Sequence, residues 1–271
     1  MNPTEQKPST GLSDRTKNML VIIGSLGAIV IGALLIYGIL VTPARQPYRD
    51  ALAQYENVAR ANGALTAAGA SLNANEATDE QFEKNIQAAQ AALKSVKTEN
   101  EALGKKDVMK SGEGKEWYDS FDKKLQAYLV YNENVLNSML KVRPVLYECN
   151  QNMTGITESK ASVDALRTCA QKFGAVEDVP DGDYEKLAAS FQQGYSNLAS
   201  ILDKMVAVKD SKSAGKAAYS ALESQRDEAL TNLSSISKEF AGDVREHRNA
   251  VIVTNASDKL EAYLEDKSRI F

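Results

Sequence analysis

The sequence predicts an all-α protein, with a single transmembrane helix followed by an elongated antiparallel helical bundle. Three observations carry this expectation. Met19 to Val41 is a run of 23 residues without a charge. From Pro47 onward the apolar residues recur every three or four positions, which places them on one face of a helix. No stretch alternates with the period of two that a half-buried strand requires.

The membrane segment comes first. At about 1.5 Å per residue, residues 19–41 span roughly 34 Å, enough for a hydrocarbon core of about 30 Å. A signal-peptide core runs about 7–15 residues, so the run reads as an uncleaved signal-anchor. Tyr37 suits an interfacial aromatic. Lys7, Arg15 and Lys17 precede the span, and Arg45 and Arg49 follow it. That bias, with the amino terminus, assigns 1–18 to a short cytoplasmic tail and 42–271 to a domain outside the cytoplasm. Within the run, Gly24, Ala28 and Gly32 recur every four residues and form one small-residue ridge. In lipid, close packing drives helix association, and such a ridge lets two backbones approach. The expected partners are therefore the bilayer and either a second copy or another membrane or envelope protein.

Thr42-Pro43 and Gln46-Pro47 separate this span from the next helix, whose first turn accommodates Pro47. That helix, about 47–73, carries the stripe Ala51, Tyr55, Val58, Asn62, Leu65, Gly69 and Leu72. Thr78 to Gln81 reads as a capping box opening a second helix. Its stripe is Phe82, Ile86, Ala89, Leu93, Val96, Asn100 and Leu103, and Gly104 ends it. The third carries Tyr118, Phe121, Leu125, Tyr128, Asn132, Val135, Met139, Val142, Leu146 and Cys149, with Pro144 as a kink or early stop. A shorter fourth helix shows Val163, Leu166, Ala170 and Phe173 before Gly174. The fifth opens after Pro180-Asp-Gly-Asp183, with Asp183 as its N-cap, and runs from Tyr184 to Val208. A last long helix shows Leu222, Ala229, Leu233, Ile236, Phe240, Val244 and His247. The β-branched run Val251 to Val253 interrupts it, and a terminal helix follows over 255–271. Short connections make such helices antiparallel neighbours with coiled-coil-like cores, in one bundle or in two in series, 47–149 and 158–271.

Cys149 and Cys169 end neighbouring helices, with a turn between them. An even cysteine count on one side of a membrane reads as a disulfide pinning a helical hairpin. Two thiols without a nearby His or third Cys make a poor zinc site.

The chemistry-bearing residues point away from catalysis. His247 is the only histidine, on the apolar side of its helix, where a packing role is expected. No Ser or Cys nucleophile can be assigned to it by pattern. Glu177, Asp178, Asp181 and Asp183 lack the alternation of a calcium loop. Asn62, Asn100 and Asn132 each interrupt an apolar stripe; an Asn at such a position sets helix register, or a layer of them binds a ligand. Counted along their helices the three do not form one layer, which favours register setting.

Charged residues make up 25% of the chain and apolar ones 43%, an ordinary folded composition. The formal net charge is −4; residues 1–18 carry three basic and two acidic side chains, so the remainder carries −5. Affinity for nucleic acid draws on clustered Lys and Arg, so a mildly acidic domain without a basic block excludes that partner. These observations point to a non-enzymatic, membrane-anchored scaffold or protein-interaction module of the cell envelope, without cofactor or metal. The alternative is a sensory or solute-binding bundle that signals laterally through a membrane partner, since 18 residues inside are too few for an output domain. An enclosed polar cavity near Asn62 and Asn132 would mark the second.

Overall fold

A computed structural model of the chain describes residues 44–72, 79–153, 155–210 and 216–269. In chain order these form α1 (44–70), α2 (Asp79–Gly104), a 3-10 turn (Asp107–Met109), α3 (Gly112–Met153), α4 (Lys160–Gly174), α5 (Gly182–Asp210), α6 (Lys216–Ala250) and α7 (Thr254–Ser268). No strand occurs among the described residues. The apolar run 19–41, with Gly24, Ala28 and Gly32, and the tail 1–18 lie outside them. Among the described residues no helix is long and apolar enough to cross a membrane.

The helices enclose two cores joined end to end by α3. The first gathers Tyr55, Val58 and Leu65 of α1, Ile86 and Val96 of α2, and Phe121 and Leu125 of α3, together with Leu260 and Leu264 of α7. Buried Met109, from the 3-10 turn, belongs to the same core. Gln54 Nε2 donates to the Glu99 carbonyl at 3.0 Å and Asn85 Nδ2 to the Ser71 carbonyl at 2.8 Å, so α1 and α2 run antiparallel. Tyr48 packs edge-on against Tyr263 with centroids 6.1 Å apart, and Tyr55 meets Ser257, so α7 runs antiparallel to α1.

The second core takes Val142 and Cys149 from the far part of α3, then α4, α5 and the first half of α6. Phe173, Phe191 and Tyr195 stack within it, with centroids 5.2–5.8 Å apart. Cys149 and Cys169 are joined in a disulfide, their Cα atoms 5.6 Å apart, so the hairpin of α3 and α4 is covalently closed.

The cores do not part at the loop 150–158, as a division into 47–149 and 158–271 would have it. α3 belongs to both, and α7 returns to complete the first. The reason is geometric: a helix of 42 residues outruns its shorter neighbours and offers its end to a second set. Where the cores meet, Arg143 is buried beneath the rings of Phe82 and Tyr147, 4.5 and 4.9 Å from their centroids, and pairs with Asp79. Ser138 Oγ accepts the Asp181 N–H at 3.0 Å, and Lys141 Nζ donates to the carbonyls of Glu177 and Asp178. The connection from α4 to α5 is thereby docked on α3.

Several local expectations change. α1 is already helical at Ala44, three residues ahead of Pro47. α3 runs through Pro144 without ending. The missing N–H of Pro144 leaves the carbonyl of Leu140, four residues earlier, without its helical donor, on a face where both residues are exposed. α5 is capped by Asp181, not Asp183: Asp181 Oδ1 accepts the N–H groups of Asp183 and Tyr184 at 3.1 and 3.3 Å. The interruption at Val251 to Val253 is present, between the end of α6 and the start of α7. The capping residue Thr78 lies outside the described residues.

Candidate binding cleft

The break between α6 and α7 opens a cleft of about 270 Å³ on the side of the first core. Its walls are Tyr55, Val58 and Asn62 of α1 and Phe121, Leu125 and Tyr128 of α3. Ile252 and Val253 form the side made by the break, and Ser257 and Asp258 bring the first turns of α7. The cleft exists because α7 starts only at Thr254, so the fourth side of the first bundle is left open. Ile252 is 48% exposed beside it.

Asn62 Oδ1 is buried without a hydrogen-bond partner. Asp258 is exposed, and among the described residues no Lys or Arg lines the site. The Tyr55 hydroxyl is already engaged, 2.6 Å from Ser257 Oγ and 3.3 Å from Glu261 Oε2. Burial, reinforced by the charges of Glu261 and Asp258, pushes its pKa up to about 12.

The three core asparagines have separate surroundings. Asn100 is 1% exposed; its Nδ2 donates to Asp122 Oδ1 at 2.6 Å, and its carbonyl accepts from the Tyr118 hydroxyl at 3.1 Å. Asn132 Nδ2 donates within its own helix to the Tyr128 carbonyl at 2.7 Å. Asn62 alone of the three lines the cleft.

A second polar group lies at the junction of the cores. Asp183, 7% exposed, takes His247 Nδ1 at 2.7 Å. This hydrogen bond and the negative charge of Asp183 raise the His247 pKa, while burial raises that of neighbouring Asp181. Tyr131 donates to the Val244 carbonyl at 3.2 Å, and Lys186 pairs with Asp243 at 2.6 Å. These contacts hold the end of α6, where residues 241–250 contribute nothing to either core. His247 is therefore not a packing residue: its side chain is 62% exposed. It lacks a nucleophile among these neighbours. Among the described residues no three His, Cys, Asp or Glu side chains converge as metal ligands.

Sequence reasoning missed Thr254, Ser257 and Asp258 as parts of a site. The available signal was the β-branched run before them, which marks the break but not the helix that α7 packs against. No protein-family model matches the chain, and neither a curated protein nor a solved structure does.

Proposed function

We propose that this chain is a non-enzymatic, membrane-tethered scaffold of the cell envelope, held by residues 19–41 with its helical domain outside the cytoplasm. The observation that supports this reading is the sharing of α3 by both cores. At about 1.5 Å per residue its 42 residues extend roughly 63 Å, and the docked α4–α5 connection braces it midway. A strut of this kind holds a surface at a set distance from its anchor. The partner is another envelope or membrane protein, or a second copy meeting through Gly24, Ala28 and Gly32.

The test places a photo-crosslinking residue at Leu140 or Tyr147, each 38% exposed on α3, in intact cells. A discrete adduct with an envelope protein or a second copy is expected. If neither position, nor Val130 or Leu230, gives an adduct, the scaffold reading fails. External protease should reach residues 42–271 and spare 1–18; the reverse pattern would invert the assigned orientation.

The solute-binding alternative draws on one observation, the cleft at Asn62. Against it, the cleft is open to solvent, and its volume falls just below the roughly 300–1,000 Å³ usual for small-molecule sites.

A further inference from the structure

One end of the first bundle differs in charge from the rest of the domain. Because α2 and α7 both run antiparallel to α1, the start of α1, the end of α7 and the connection from α2 to α3 meet there. Arg49 Nε donates to the Ser268 carbonyl at 3.4 Å, and Lys267 Nζ lies 3.7 Å from Glu113. A Cβ added at Gly114 would reach both the Val108 carbonyl and the Tyr263 hydroxyl, so the connection, α3 and α7 are in close contact.

This end is basic. Arg45 and Arg49 come from α1, Lys105, Lys106 and Lys110 from the connection, and Lys267 and Arg269 from α7. Over 44–49, 105–111 and 267–269 they face one carboxylate, Asp107, giving +6. Residues 42–271 total −5, so the remainder carries −11. Asp50, Glu113, Glu265 and Asp266 follow within a turn further in; counting them, the end is still +2, opposite in sign to the rest. Lys110 pairs with Asp107 at 2.7 Å and Arg269 with Glu265 at 2.9 Å. Both cations are more than half exposed, 56% and 67%, and exposed pairs of this kind hold little.

The chain also fixes where this end can go. Only Thr42 and Pro43 separate the apolar run from Ala44, where α1 is already helical. Three residue steps cover at most about 11 Å, so Ala44 stays within that distance of Val41. The potential of an anionic leaflet decays over about 8 Å at physiological salt, and each Lys or Arg inside it is attracted. We propose that the basic end formed by α1, α7 and the α2–α3 connection docks on anionic lipid headgroups. The same field repels the acidic remainder, so the domain stands away from the bilayer instead of lying along it. This inference rests on the tether reading and adds the class of lipid that the domain meets.

Trp117, the only tryptophan of the chain, lies in the second turn of α3 from this end and reports its distance from the bilayer. The full chain is placed in nanodiscs of phosphatidylcholine alone or with phosphatidylglycerol, each holding the same fraction of a lipid spin-labelled at its headgroup. Quenching of Trp117 should be about twofold stronger with phosphatidylglycerol. Raising the ionic strength from ~0.1 to ~1 M, which shortens the Debye length from ~10 to ~3 Å, should remove the excess. The exposed substitutions Lys105→Glu, Lys110→Glu and Arg269→Glu, made together, should remove it too. Lys160→Glu, Lys204→Glu and Lys238→Glu, exposed on α4, α5 and α6, should retain it. The salt comparison uses the native chain and so reports even if a variant folds poorly. Equal quenching in the two lipid mixtures, or an excess that survives high salt, overturns the headgroup inference while the tether stands. A chain that fails to enter the discs overturns both.

Discussion

Tyr55 of α1 and Ser257 of α7 meet across the first core although 202 positions separate them, with their hydroxyl oxygens 2.6 Å apart. The pair fixes the height at which α7 sits against α1, and with it the depth of the cleft above.

Removing the Tyr55 hydroxyl should destabilise the domain by about 1–2 kcal/mol in Tyr55→Phe, as for a buried hydrogen bond whose partner is stranded. Ser257→Ala should cost a similar amount, and the double variant less than the sum. Urea unfolding of the three variants measures this, and strict additivity would show that the pair does not interact. The same hydroxyl gives a pH dependence. Its pKa is raised from 10.0 to about 12 in the folded state, so the unfolded chain loses the proton first. Stability from this group is intact below about pH 10 and is lost as the pH rises from about 10 to about 12.

Two glycines should respond oppositely to alanine. A Cβ at Gly114 would lie 2.0 Å from the Val108 carbonyl oxygen, a backbone atom that can move only with the connection carrying it. Gly114→Ala should therefore cost about 1–3 kcal/mol. Gly63 has nothing within 4 Å of such an atom and lies within α1. Gly63→Ala should stabilise by roughly 0.5–1 kcal/mol. Thermal unfolding of both variants tests the pair, and equal effects would contradict the packing at the start of α3.

The disulfide closes a loop with a sequence separation of 20. Cys149→Ser with Cys169→Ser, or reduction of the native chain, should lower stability by about 3 kcal/mol. The loss should be concentrated in the second core, because both sulfurs lie there. Hydrogen exchange resolved by helix checks this: α4 and α5 should lose protection before α1 and α2.

His247 should titrate above its ordinary 6.5, since its hydrogen bond to Asp183 and that residue's charge favour the imidazolium. Glu246 and Asp181 push in the same direction. The contribution is complete below 6.5 and disappears as the pH rises through the raised folded value. Above that range the end of α6 loses one of its polar ties, while those through Tyr131 and Lys186 remain. A proton NMR titration of the imidazole reports the pKa directly, and Asp183→Asn should return it towards 6.5. A native imidazole titrating at or below 6.5 would refute the pairing.

How much of this was legible depended on whether a feature was local. α2 buries the seven positions that its spacing marks, from Phe82 to Leu103, because one stripe on one helix decides which face turns inward. The disulfide was legible for a similar reason, since a hairpin brings its two arms together wherever the rest of the chain goes. α6 shows the limit. Its apolar spacing continues past Phe240, yet only Ala229 and Leu233 of α6 are buried, because its final turns meet α3 and α5 through polar contacts and not through an apolar face. Whether a face finds a partner is a property of other segments. The asparagines make the same point: Asn62 and Asn100 occupy equivalent places on their stripes, but one faces an opening left by α7 and the other meets Asp122.

The return of α7 has a bearing on how the protein is made. A chain emerging amino end first presents α1, α2 and α3 early, but the first core needs Leu260 and Leu264, both fully buried, from α7, the last of the described helices. Everything in the second core precedes them. The part of the domain synthesised first is therefore the last to be finished, and its apolar interior stays uncovered along one side throughout synthesis. Interruption anywhere before Thr254 yields a molecule with a completed far end and an open near end. Such a product is a target for chaperones and proteases rather than a shorter working copy.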